Sequence, residues 1–166
     1  MAGEFITDAD GNIIGIKADI PAKPKVTRAK NIEIRDNSEV VGAAIQVALR
    51  RGLEAVGMTA ERYAKKKCPV DTGRLRNSIT YALAGEQTHV KSYKARKGGK
   101  GRETYTYDGN APGNKGDGVY IGTNVEYAVF VENGSQGRAA VHFLQDAAAG
   151  HAEEYKKLIE QSMKNA

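Results

Sequence analysis

The stretch from Asp36 to Lys67 limits the possible folds of this chain more than any other. Val41, Ile45, Ala48, Leu49, Val56, Ala60, Tyr63 and Ala64 recur there at helical spacing. Arg50, Arg51, Glu54, Glu61, Arg62 and Lys65 lie largely off that stripe. Asp36, with Glu39 three residues on, reads as a helix start of the capping-box kind. Lys65, Lys66 and Lys67 occupy the last turn, where cations suit the helix dipole. Pro69 then pushes Cys68 out of helical geometry and stops the helix. A helix of about 30 residues, at roughly 1.5 Å each, is a rod near ~45 Å, long for so small a domain. Gly42, Gly52 and Gly57 each weaken it by about 1 kcal/mol against Ala, and mark either the close packing of another backbone or a bend.

The helix runs into "CPVDTGRLRNSI", Cys68 to Ile79, and Asp-Thr-Gly is a tripeptide that carries the catalytic carboxylate of aspartic proteases. Such an enzyme needs two aspartates sharing one proton, so a chain with one copy must dimerise. Each copy normally lies within apolar strand. Asp71 instead follows a lysine-rich helix end, and Arg74, Arg76 and Asn77 come directly after it. A nearby cation holds a carboxylate ionised and opposes proton sharing. A turn explains every residue. Pro69 ends the helix, Asp71 or Thr72 hydrogen-bonds the turn backbone, Gly73 supplies a positive φ, and Leu75 opens the next strand as an apolar anchor.

Other chemistry finds no footing. His89, His142 and His151 share no metal-ligand spacing, and Cys68 has no second cysteine. Cys68 reads as a small buried hydrophobe at a helix end, since a nucleophilic role would need a histidine brought close by the fold. "GGKGRE" lacks the strand, the helix and the Gly-Lys-Ser/Thr ending of a phosphate loop. No catalytic residue, metal or cofactor is expected, and the chain is read as no enzyme. No apolar run approaches the roughly 20 residues of a membrane helix, and the acidic N-terminus is no secretion signal. The chain therefore reads as soluble and made in a reducing cytoplasm. A net charge of +5 suits contact with nucleic acid or an acidic protein surface.

The remaining segments complete an α+β plan. "EFITDADGNIIGIK" reads as a hairpin around a plain turn, because Asp8 and Asp10 lack the third ligand and distal Glu of a calcium loop. "PAKPKVTRAK", with two prolines and four basic residues, reads as an extended linker or arm. "RNSITYALAG", "THVKSY" and "GVYIGTN" read as strands. Between the last two, Lys94 to Gly118 reads as a long excursion from a hairpin, with one β patch at "ETYTY". "EYAVFVENGS" fits a short helix or a strand with Tyr127, Ala128, Phe130 and Val131 on an apolar surface. Leu144, Ala148, Ala152, Tyr155, Ile159 and Met163 predict a C-terminal helix, blemished by Gly150. The fold class is thus α+β: a long helix in the N-terminal half and a C-terminal helix packed on a small antiparallel β-sheet, with extended arms. Residues 1–35 form an arm, and residues 36–166 form the domain, whose Gly/Lys-rich excursion spans about 91–118.

This order of elements resembles the neck or tail-completion family of long-tailed bacteriophages, over roughly Ser38 to Ala166. Pro69, Asp71, Thr72, Gly73, Leu75 and Ser78 carry the resemblance in the first half. Gly122, Tyr127, Ala128, Glu132, Gly134, Phe143 and Leu144 carry it in the second. The chain departs from the family pattern at His142, where a proline usually precedes the Phe-Leu pair, and in the length of 91–118.

The resemblance implies a structural virion protein of the head–tail joint, assembled in the host cytoplasm. It implies a homo-oligomeric ring, six- or twelve-fold, around the DNA channel. The implied neighbours are a portal, adaptor or head-closure protein on one side and a tail terminator or tail tube protein on the other. Lys91, Lys94, Arg96, Lys97, Lys100 and Arg102, with no acid among them, are candidates to touch non-specific duplex DNA or a partner protein. The competing reading is a small basic nucleic-acid-binding protein of a phage or mobile element, in which Tyr93, Tyr105 and Tyr107 would stack bases.

Overall fold

The computed structural model describes residues 4–7, 13–17, 25–29, 32–96, 101–107, 111 and 117–164. Two compact units divide the chain: residues 1–52 with 160–166, and residues 53–159. The first unit holds β1 (Glu4–Thr7) paired antiparallel with β2 (Ile13–Lys17), and β3 (Lys25–Ala29) paired antiparallel with β4 (Ile32–Asp36). The turn expected at "DADGN" lies outside the described residues. Part of the segment read as a linker is a strand, since Val26 and Thr27 face Arg35 and Ile34 across the β3–β4 ladder. Prolines at 21 and 24 precede the paired residues and leave that ladder's donors intact.

From β4 the chain enters α1 (Ser38–Lys67), which runs from the first unit into the second. The Asp36 carboxylate accepts the Ser38 amide at 2.9 Å, so the predicted start residue does satisfy a free donor of the first turn. Ala48, Ala60 and Ala64 of the predicted stripe are buried, whereas Val41 and Ile45 are exposed. The small side chains of the stripe allow close packing along the helix. At Gly57 the neighbour is a side chain, not a backbone or a bend: a Cβ there would fall 2.3 Å from the Tyr81 ring. At Gly42 a Cβ would meet nothing within 4 Å.

The second unit continues through α2 (Arg74–Ser78), β5 (Thr80–Leu83), β6 (Ser92–Arg96), β7 (Arg102–Thr106) and β8 (Val119–Gly122). It ends in α3 (Ala128–Glu132), α4 (Phe143–Ala149) and most of α5 (Ala152–Lys164). β5 pairs antiparallel with β8, and β6 with β7. Long helix, C-terminal helices and small antiparallel ladders make the fold α+β, as the sequence implied. The core joins Ala64 and Cys68 from the end of α1 to Leu75, Ile79, Val125, Ala128, Val131, Phe143 and Ala147.

Three local expectations change, and one open choice is decided. Leu75 lies in α2, a helical turn, and the strand begins only at Thr80. The positive φ of Gly73 starts that turn, and the Asn77 backbone amide donates to the Gly73 carbonyl at 2.9 Å. The excursion after Lys94 is partly a hairpin of the chain itself, because Tyr93 and Ala95 bury one face of β6. "EYAVFVENGS" resolves as a helix, which buries Ala128 and Val131 but leaves Phe130 exposed. The C-terminal helix breaks into α4 and α5 at Gly150, where a Cβ would lie 2.6 Å from the Asp146 carbonyl oxygen. Across that break the Tyr155 hydroxyl donates to the Ala147 carbonyl. The rings of Tyr63 and His151 stack at 3.5 Å, and the Tyr63 hydroxyl donates to Glu154 at 2.7 Å. α5 is thereby fastened to α1 by polar and ring contacts.

Gly42 and Gly57 predict opposite responses. Gly42→Ala should stabilise the protein by about 0.5–1 kcal/mol through helix propensity. Gly57→Ala should destabilise it by roughly 1–3 kcal/mol, because the Tyr81 ring has to give way. Urea unfolding of the two variants checks this.

Candidate functional site

The segment from Cys68 to Ser78 works as a junction. Gly73 takes φ 78° and ψ 0°, a left-handed conformation that β-carbon sterics disfavour for other residues. The Thr72 hydroxyl accepts the Arg74 amide at 3.3 Å, and the Thr72 carbonyl accepts the Arg96 amide of β6 at 3.4 Å. Asp71 is exposed at the turn's outer edge. Behind the turn Leu75 and Ser78 are buried, and the Ser78 hydroxyl donates to the Leu75 carbonyl at 2.7 Å. The Ser78 and Thr123 hydroxyls lie 2.5 Å apart, next to Gly122, whose partner across the ladder is Thr80. Cys68 is buried, and burial pushes its thiol up to about 11 while Arg76 pulls weakly the other way. The thiol is held protonated at neutral pH, the state of a packing residue and not of a nucleophile.

Asn77, Asn124 and Arg74, none of them given a contact role by the sequence, fasten the β6–β7 hairpin to this junction. The Asn77 side-chain amide donates to the Lys94 carbonyl at 2.9 Å. The Asn124 side-chain amide donates to the Thr106 carbonyl at 2.9 Å, while its oxygen accepts the Tyr93 hydroxyl at 3.0 Å. The Arg74 guanidinium sits 4.6 Å from the Tyr105 ring centroid and 6.0 Å from that of Tyr127, within cation–π range. No spacing signal marks an asparagine whose amide reaches another strand. Tyr93 packs on Tyr105 and Tyr107 with centroids 5.4 and 5.6 Å apart, and burial raises the Tyr107 phenol. These rings are occupied by one another, which weighs against an open base-stacking platform.

A second knot joins α3 to α4. Gly134 takes φ 80°, and a Cβ there would press within 2.9 Å of the Ala140 nitrogen and the Arg138 oxygen. The chain reverses through Ser135–Arg138 and returns along α3, where the Val141 and His142 amides donate to the Val131 and Glu132 carbonyls. The Glu132 carboxylate then accepts the Leu144 and Gln145 amides at 2.9 and 2.8 Å. α4 has no cap from its own flank, so Glu132 supplies one from ten positions or more upstream, with a charge that suits the helix dipole. Phe143, fully buried, enters the core behind that cap. His142 takes φ 52° and ψ 44°.

Of the basic candidates, Lys91, Lys94, Arg96 and Arg102 are exposed, and Lys97 and Lys100 lie outside the described residues. Tyr127, Val129 and Phe130 are exposed at 40%, 61% and 60%, although they adjoin the buried face of α3. Among the described residues, no group of three or more His, Cys, Asp or Glu side chains is placed to hold a metal ion. No described helix is long and apolar enough to cross a membrane.

The junction, both hairpin strands, α3 and Gly134 itself fall within residues 32–134, which match the family model described as "Bacteriophage HK97-gp10, putative tail-component". That is well over half of the chain. The chain belongs to this family. It is a structural component of a phage virion, and Pro69 through Gly134 of the motif lie inside the matched segment. Phe143 and Leu144 lie beyond it. No curated protein and no solved structure matches the chain.

Two outcomes follow from this geometry. Proline at 142 would meet φ 52° with a ring fixed near −65° and would lose the amide donated to Glu132. His142→Pro should therefore cost roughly 3 kcal/mol or more, whereas His142→Asn should stay within about 1 kcal/mol, as thermal unfolding would show. Burial also raises the Tyr81 phenol to about 12. Raised values mean that the folded state keeps protons that the unfolded state releases, so stability is full at neutral pH and falls as pH climbs from the ordinary thiol value of 9.0 towards 11 and beyond. Cys68→Ala should remove the lower part of that fall in denaturant titrations at stepped pH.

Proposed function

We propose that this virion component is a ring-forming subunit of the phage neck, seated where head meets tail, with the genome passing through the ring and no catalytic role. The observation that carries this reading is the cluster Tyr127, Val129 and Phe130. Three large apolar side chains within four residues are exposed at the start of a short helix whose other face is core: Tyr127 just before α3, and Val129 and Phe130 on it. Isolated exposed apolar residues are ordinary, but a cluster inside the family-matched segment is what an interface between copies requires.

A ring contact is heterologous, so each subunit needs a second, different face. Val41 and Ile45, one turn apart and exposed on α1, offer one. Residues 1–35 act in this reading as an assembly arm, adding buried area against neighbours without enlarging the core. The β6–β7 part of 91–118 is instead fastened to its own chain by Asn77, Thr72 and Asn124. The motif residues have a supporting part: they hold α2, the β6–β7 hairpin and α3 at fixed positions so that the contact surfaces are presented correctly. The layers above and below the ring would be a portal, adaptor or head-closure protein and a tail terminator or tube protein.

Sedimentation velocity of the full chain tests the reading. The wild type should form a closed oligomer. A Val129→Asp/Phe130→Asp variant should remain monomeric with unchanged circular dichroism, because both positions are exposed. A variant that still forms oligomers of wild-type size would contradict the assignment of this face.

A further inference from the structure

The β6–β7 hairpin sorts its side chains into two unlike faces. Residues alternate sides along a strand, and the register pairs Tyr93 with Tyr105 and Ala95 with Glu103 on one side. Tyr93 and Ala95 on that side are buried. The opposite side pairs Ser92 with Thr106, Lys94 with Thr104, and Arg96 with Arg102. All six of these residues are exposed, and exposed Lys91 directly precedes them. Every side chain on the outer face can donate hydrogen bonds, and none is a carboxylate or an apolar group.

Two features make this more than a solvated edge. Arg96 faces Arg102 directly across the ladder, and like charges in that position cost stability in the isolated fold. An anion lying against both removes that cost. The face is also presented by a fixed scaffold, since Asn77 holds the Lys94 carbonyl, Thr72 holds the Arg96 amide and Asn124 holds the Thr106 carbonyl. We propose that this outer face binds the phosphate backbone of duplex DNA without regard to sequence.

The composition of the face separates DNA from an acidic protein. Protein interfaces are built on an apolar centre with charged groups depleted. Phosphate oxygens are held instead by Arg, Lys, Ser and Thr side chains, the set displayed here. The inference rests on the ring reading only in that assembly would bring the face to the channel; the chemistry belongs to the single chain.

The test measures fluorescence anisotropy of two unrelated duplexes of about 20 base pairs with the full-length protein, at salt from about 50 to 200 mM. Wild type should bind both duplexes equally and lose affinity steeply with salt. The Lys94→Gln/Arg96→Gln/Arg102→Gln variant should flatten the logarithmic salt slope by about 2–3, at roughly 0.9 for each phosphate that is no longer neutralised. A variant carrying Arg96→Lys and Arg102→Lys should retain binding. The monomeric Val129→Asp/Phe130→Asp variant should also retain it, which separates this inference from the ring reading. Absence of binding by wild type at the lowest salt would overturn the proposal. So would an unchanged slope in the glutamine variant, a preference for one sequence, or equal affinity for a polyglutamate peptide, which would assign the face to an acidic protein.

Discussion

The left-handed turn at Gly73 is the constraint on which the second unit depends. α1 delivers Ala64 and Cys68 to the core, and the chain has to reverse at once for Leu75, Ser78 and Ile79 to join them. Pro69 ends the helix, and only a residue without a β-carbon takes φ 78° there at little cost. The same few residues then hold the hairpin: Thr72 by its carbonyl, Arg74 by its guanidinium over Tyr105, and Asn77 by its side-chain amide. Asp71 stands at the outer edge of a structural turn. Within the tripeptide, the Thr72 hydroxyl and the left-handed Gly73 shape the turn.

A second economy of the fold is capping at a distance. α4 is seven residues long and begins after a left-handed His142, so its first amides have no local acceptor. Glu132 reaches them only because Gly134 lets the chain fold back and because the Val141 and His142 amides zip onto the end of α3. Charge-assisted bonds of this kind are roughly twice as strong as neutral ones, which makes the α3–α4 pair a single mechanical piece. Its inner side is Ala128, Val131, Phe143 and Ala147; its outer side keeps Val129 and Phe130 in solvent.

The sequence revealed what depends on local period and local sterics. The long helix was visible because its apolar spacing persists for many turns, and the positive φ at Gly73 because a Pro-x-x-x-Gly turn demands it. α2 was hidden, since five residues are too few to show a helical period and β-formers follow directly. The α4–α5 break was hidden because the apolar spacing runs on through Gly150, and only the approach of the Asp146 carbonyl shows why glycine stands there. Lysines and glycines masked the β6–β7 hairpin, whose alternation around Tyr93 and Ala95 has meaning only once a partner strand is in place. Glu132 was recognisable as part of a family pattern but not as a cap, because the amides it accepts are brought close by a reversal that no short window contains. Asn77 and Asn124 carried no signal at all.

Several reactive-looking groups serve packing: the Cys68 thiol is buried, Tyr93 packs on Tyr105 and Tyr107, and the carboxylate of Glu132 closes a helix. Among the described residues, those facing outward include Val129 and Phe130 of α3, Val41 and Ile45 of α1, and a face of cations and hydroxyls on the hairpin. In the proposed reading, function resides in contacts between copies and with the particle's contents. Single-particle electron microscopy of the purified full-length protein tests that claim most directly. Closed rings, with the outer face of β6–β7 turned to the lumen, are the predicted result. A uniform monomer at every protein concentration would contradict it.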